Sequence, residues 1–239
     1  MTAHSLPSAR RHPPPLLLLA LGLVLLAATA IAALAIGRAM LSPGEVIAVL
    51  ARSLRGDGNV PLASRTIVLG VRLPRVAAAA MIGAALAVSG AAYQGLFRNP
   101  MVSPAILGVS AGAAFGAAVA ILWSASAFFI HTMTFVGGLC AVAITYVIGA
   151  KLCRGGNATL AIILSGIIVS TLFTSLLSMI KYVADPYDKL PVIVYWLMGS
   201  LASISLDSLF FPLIFMGAAF IPLFLLRWRI NLLSFGDEE

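Results

Sequence analysis

The chain has 239 residues, of which 61% are hydrophobic and 10% charged, with a mean hydropathy of +1.07. A soluble domain carries roughly 25% charged residues, so this chain cannot cover a water-facing surface and must take lipid as much of its solvent. The net charge of +7 does not point to nucleic acid, because the basic residues stand singly or in pairs between apolar runs, as membrane-flanking charges do.

Residues 1–14 read as a cytoplasmic tail ending in a first apolar run at 15–37. Arg10 and Arg11 precede that run, but its length exceeds the roughly 7–15 residues of a signal-peptide core, so it predicts a span. Residues 38–73 then form a segment outside the membrane, within a membrane domain covering 15–227. Inside it, Ser42-Pro43-Gly44-Glu45 combines an N-cap, a proline at N1 and a capping-box glutamate at N3. Val46, Ile47, Val49, Leu50 and Leu54 follow as the apolar positions of a short amphipathic helix, which Gly56-Asp57-Gly58-Asn59 ends in a turn.

Further apolar runs lie at 75–95, 101–127, 128–150, 158–180 and 208–226. Each approaches or exceeds the ~20 residues that cross a ~30 Å hydrocarbon core as a helix, giving an all-α membrane fold of about six spans. Both termini then share one side. The stretch from Pro191 to Ile204 is too short to span and predicts a half-helix at the interface. Counting Lys and Arg does not orient the protein, since seven fall on the side of the termini and eight on the other. The basic pairs beside the first and last spans favour cytoplasmic termini.

The interiors of the six runs hold no Asp, Glu, Lys or Arg, and only His131 comes close. Ion-coupled carriers use intramembrane ionisable groups or broken-helix ion sites, so coupling to an ion gradient is not expected. No GxxxxGK[ST] phosphate loop occurs, so the chain is not expected to hydrolyse ATP or act as an enzyme. If it pumps, a partner supplies the energy. Cys140 and Cys153 lack metal-ligand spacing, and no metal or cofactor is expected.

Small residues mark expected packing faces. Gly108, Gly112 and Gly116 repeat along one face of the third span, and Gly83, Ala87 and Gly90 do the same in the second. In the fifth span Thr171, Thr174, Ser175 and Ser178 form one hydroxyl stripe. Such hydroxyls either bond back to the i−4 carbonyl or line a wet pathway, and the sequence leaves both open.

One stretch is more specific: Arg72-Leu73-Pro74-Arg75, then Gly83-Ala84-Ala85-Leu86-Ala87-Val88-Ser89-Gly90, then Gln94-Gly95-Leu96-Phe97-Arg98-Asn99-Pro100-Met101, then Leu107-Gly108-Val109-Ser110-Ala111-Gly112-Ala113. In this order it resembles the permease subunits of bacterial ABC importers for siderophores, haem and cobalamin, the iron-chelate type II importers. Tyr195-Trp196-Leu197-Met198-Gly199-Ser200 and the end of the chain agree more loosely. The resemblance implies an inner-membrane permease that pairs with a second copy, two cytoplasmic ATPase subunits and a periplasmic substrate-binding protein. It implies cytoplasmic termini, docking of the binding protein at Arg72 and Arg75, and a cytoplasmic gate at Asn99, Pro100 and Met101. It further implies a pathway lined by Thr171, Thr174, Ser175 and Ser178. Residues 228–239 would begin a coupling loop that meets the ATPase through Gly236, Asp237 and Glu238. Permeases of this type have about ten spans, so the chain is expected to be the N-terminal part of one, truncated at its C-terminus.

Overall fold

A computed structural model describes residues 14–56, 61–152 and 158–235, with the side chains of 233–235 left aside. The described residues are helical and connecting segments without strands. They fall into two compact units, one ending at Ala77 and the other beginning at Ala78.

In the first unit, helix α1 (Pro15–Ala35) is apolar all round, with Leu16, Leu19 and Val24 exposed and only Leu34 and Ala35 buried. That pattern suits a helix bathed in lipid along most of its length. Helix α2 (Pro43–Leu54) starts as its sequence predicts. The Ser42 hydroxyl accepts from Glu45 N–H at 3.2 Å, and the Glu45 carboxylate accepts from Ser42 N–H at 2.8 Å. Val46 and Val49 face inward against Leu34, Ala35 and Val68. The expected turn at residues 57–59 lies outside the described residues. A single helical turn, α3 (Leu62–Arg65), runs into a π-helical stretch at Thr66–Arg72, which continues into α4 (Leu73–Phe97).

The second unit is built on three helices: α5 (Val109–Leu122), α6 (Ala127–Leu152) and α7 (Ala158–Val183). Helix α5 is short and central, with Gly112, Gly116, Ala117, Ala118, Ala120 and Ile121 buried. Phe115 of α5 packs on Phe173 of α7, ring centroids 5.6 Å apart. The half-helix is observed as α8 (Lys189–Met198), ended by Gly199 at φ 71°. Its Ile193 is fully buried against Ala118, Ile121 and Leu177. Helix α9 (Phe210–Phe235) meets α6 along an aromatic edge, Phe128 to Phe211 and Phe135 to Phe215.

Five helical stretches among the described residues are long and apolar enough to cross a membrane: Pro15–Ala35, Leu62–Phe97, Ala127–Leu152, Ala158–Val183 and Asp207–Leu232. The expected continuous span at 101–127 is not among them. Its residues divide into an irregular segment and the 14-residue α5, for reasons that concern the site. The last helix also runs to Phe235 rather than ending at 227, because 228–235 contains neither Gly nor Pro to stop it.

Candidate functional site

The expected third span is broken at its start. After Phe97 the backbone of Arg98 turns left-handed, at φ 49°. Pro100 lacks an N–H and pushes Asn99 out of helical geometry. The Asn99 side-chain oxygen then accepts from Met101 N–H at 2.9 Å, and the Gln94 amide donates to the Pro100 carbonyl at 3.0 Å. Ser103 is extended, Pro104–Leu107 forms one 3₁₀ turn, and Gly108 opens α5 at φ 78°. Phe97, Val102 and Leu107 are buried together, while Met101 is 86% exposed.

This irregular stretch packs against α6 and α7, two helices long and apolar enough to cross a membrane. Fully buried Thr145 of α6 donates to the Leu107 carbonyl at 3.1 Å. Gly166 of α7 faces the Ile106 carbonyl so closely that a Cβ there would collide with it. Gly108 lies against α7 less tightly, a Cβ there standing 3.3 Å from Ser170 N and 3.5 Å from Gly166 O. Thr145 and Gly166 are seven and eight residues from the described ends of their helices on the same side, about 10–12 Å at ~1.5 Å per residue. The fourteen residues of α5 supply about 21 Å more, so segment and helix together match a ~30 Å core. Non-helical backbone is stable at such depth only where protein encloses it or a cavity solvates it. Here Gln94 of α4 and Thr145 of α6 satisfy two of its carbonyls, those of Pro100 and Leu107, and a bare Cα of α7 leaves it room. Interrupted crossings of this kind mark substrate paths in membrane transporters.

The glycine repeat divides by role. Gly112 and Gly116 face α6, where added Cβ atoms would strike the carbonyls of Gly137 and Met133. Gly108 faces α7 instead and is needed for its left-handed turn. It is not part of one continuous packing face, because α5 only begins after it.

The hydroxyls of α7 lie on that helix's exposed side. Thr171 donates to Ile167 O at 2.9 Å, Thr174 to Ser170 O at 2.8 Å and Ser178 to Thr174 O at 3.0 Å. Together with Ser175 they form an uncharged face, and the three back-bonded hydroxyl oxygens can still accept.

The two arginines separate. Arg72 is buried at 8% exposure and reaches the end of α1, donating to Leu34 O at 2.6 Å, Ala35 O at 2.8 Å and the Ala39 carbonyl. A cation there satisfies carbonyls that a helix C-terminus leaves unpaired. Gly37 makes this possible, since a Cβ at that position would stand 2.6 Å from the guanidinium. Three of the five guanidinium N–H donors of Arg72 are thus committed within the chain. Arg75 is half-buried. No group of three His, Cys, Asp or Glu gathers among the described residues, and His131 stacks on Phe211 with centroids 6.5 Å apart. Gly236, Asp237 and Glu238 lie outside the described residues.

The FecCD transport family model matches residues 24–239. The chain belongs to the FecCD transport family. Among relatives, a Haemophilus influenzae molybdate import system permease protein, MolB, is 39% identical over 226 residues, covering 90% of this chain and 63% of its own length. A probable iron chelatin transport system permease protein of Helicobacter pylori is 42% identical over 72% of this chain and 51% of its own length. A cobalamin import system permease protein, BtuC, of Halobacterium salinarum is 36% identical over 76% and 48%. A solved metal-chelate type ABC transporter, in an inward-facing conformation, superposes with a TM-score of 0.76 at 36% identity, over 94% of this chain and 66% of its own. This FecCD chain thus spans about half to two thirds of the length of the relatives it matches.

Helical composition and family make this FecCD protein a multi-pass membrane protein. Two residues that hold the irregular segment, Thr145 of α6 and Gly166 of α7, are not among the candidates the sequence suggests. Thr145 had a usable signal: a hydroxyl on an otherwise apolar helix face signals a carbonyl partner. Gly166 had none, since nothing in its own helix shows that Ile106 approaches.

Proposed function

We propose that this chain serves as the membrane-spanning permease of an ABC importer in the bacterial inner membrane. In this reading it pairs with a second permease copy, and separate cytoplasmic ATPase subunits supply the energy. A periplasmic binding protein delivers the substrate. The carrying observation is the interrupted third crossing, where half-buried Asn99 and exposed Pro100 and Met101 precede a stretch held by Thr145 and Gly166. A short, rigidly held irregular stretch with an exposed Met101 suits a cytoplasmic gate, because a flexible apolar side chain can close on cargoes of uneven shape. The exposed hydroxyl face of α7, at Thr171, Thr174, Ser175 and Ser178, suits a pathway wall that offers acceptors without charge.

For the cargo we infer a bulky iron chelate of the siderophore type, since an uncharged wall without metal ligands suits a complex handed over whole. A metal oxyanion is the second reading, favoured by the molybdate permease among the relatives. Residues 236–238 remain proposed contacts to the ATPase. Reconstitution with the ATPase and binding protein in proteoliposomes separates the readings. ATP-dependent uptake of iron-55 chelate, and not of molybdate, is expected; molybdate uptake alone would select the oxyanion reading. Uptake that persists without ATPase and binding protein would contradict the importer.

A further inference from the structure

Near Phe97, where α4 ends, α4 and α9 border a groove of about 520 Å³. Val88, Ala91, Ala92 and Gly95 line it from α4. Phe220, Leu223, Phe224, Arg227 and Asn231 line it from α9. Both sets keep to one helix face, with spacings of three and four residues. The groove therefore follows the helix axes, for about 10 Å on α4 and about 16 Å on α9 at ~1.5 Å per residue. Its α4 wall is made of small side chains, which leaves the space open. The helices come together at Gly95, where a Cβ would stand 3.6 Å from Ile230 Cγ2. About 7–8 Å further into the span, a Cβ on Gly90 would meet nothing within 4 Å.

The groove is charged at one end only. Phe220, Leu223 and Phe224 make its α9 wall apolar until Arg227 and Asn231. The Arg227 guanidinium carbon lies 4.0 Å from the Phe224 ring centroid, which holds the charge against the groove wall. No carboxylate pairs with it among the described residues. The span containing α9 begins at Asp207, so Arg227 stands about 30 Å along it, where a ~30 Å hydrocarbon core gives way to headgroups. No residue described in α9 is fully buried, so the groove opens toward the bilayer.

We propose that this groove binds one anionic phospholipid, with an acyl chain lying between Val88, Ala92 and Phe220 and the phosphate on Arg227. The inference goes beyond the permease reading and does not depend on it. Basic pockets between membrane helices, at the level of the headgroups, are the places where anionic lipids bind. A guanidinium forks onto phosphate oxygens, and an apolar slot running away from it suits the attached chain. A free phosphate has no use for such a slot. A protein helix does not fit inside it, since a ~10 Å wide helix of the same ~10 Å length needs roughly 800 Å³. Arg229 provides the contrast: it is exposed, two residues on, and turned to the other side of the helix, outside the groove.

The test uses the full chain in dodecyl maltoside, stripped of lipid and titrated with phosphatidylglycerol or phosphatidylcholine, with bound lipid counted by native mass spectrometry. One phosphatidylglycerol per chain is expected, preferred over phosphatidylcholine by about fivefold, the worth of one basic residue at an anionic lipid surface. Arg227→Gln should erase that preference. Ala92→Phe, which fills the slot, should lose both lipids. Arg229→Gln should bind as wild type does. Unchanged elution on size exclusion and an unchanged melting temperature separate lost binding from lost folding. A wild-type chain without preference would overturn the proposal. Equal losses in Arg227→Gln and Arg229→Gln would overturn it too, by reducing the effect to diffuse interfacial charge. So would lipid binding untouched by Ala92→Phe, or displacement of the lipid by glycerol phosphate alone. The measurement needs neither ATPase nor binding protein, so its failure and that of the importer reading are told apart.

Discussion

Helices α4 and α5 are both rich in glycine and alanine, yet the structure treats them differently. In α5, Gly112 and Gly116 bring the backbone onto α6 so closely that no Cβ fits. In α4, Gly83 and Gly90 look onto open space, with nothing within 4 Å of where a Cβ would stand. Small residues permit close approach, but they do not say which neighbour arrives. The relatives are longer than this chain, so the contrast sets a measurable question about what stands beside α4 in the working protein.

The contrast is sharpest at Gly116. Gly116→Leu forces α5 off the Met133 carbonyl, and overpacking of this kind costs about 1–3 kcal/mol or more. Loss of folded protein on size exclusion in detergent is expected, and a well-folded variant would break the account of α5. Thr145→Val keeps the shape but leaves the Leu107 carbonyl without its donor, a loss of about 1–3 kcal/mol. It should lower the melting temperature; an unchanged value would mean that the bond carries no weight. Arg72→Leu removes the donors that finish α1 and should cost a similar amount, and Gly37→Ala should reproduce part of that loss by displacing the guanidinium. Gly83→Ala is the smallest change and the most informative. On an open helix face it should stabilise by about 0.5–1 kcal/mol. Destabilisation would instead reveal a helix packed there in the assembled transporter.

What the sequence disclosed follows the range of the interaction. The capping box of α2 is local, spelled by residues three apart, and forms as expected. The half-helix α8 was visible because it is too short to span and ends at Gly199. The break in the third crossing was half visible. Pro100 signals an interruption, but the uncharged run 101–127 has the length of a complete helix and hides the rest. Ser103-Pro104 repeats the start signal of Ser42-Pro43, and Gly108 supplies a turn, so the mark was present although hydropathy outweighed it. The direction of Arg72 could not be read at all. It depends on Gly37 and on carbonyls more than thirty residues away, which no local pattern encodes. Of the two alternatives for the α7 hydroxyls the back-bonds are observed, at Thr171, Thr174 and Ser178, on a face that is exposed.

The central claim is that residues 98–108 enter the membrane as an irregular segment whose tip faces the cytoplasmic end of the pathway. In a cysteine-free background of the chain reconstituted in oriented vesicles, single cysteines replace Met101, Ser103, Ala105 and Leu107 in turn. A membrane-impermeant maleimide applied from the cytoplasmic side should label positions 101 and 103 readily, 105 more slowly and 107 not at all, following their exposure and depth. Labelling from the opposite side, or protection recurring every three to four residues as along an unbroken lipid-facing helix, would contradict it.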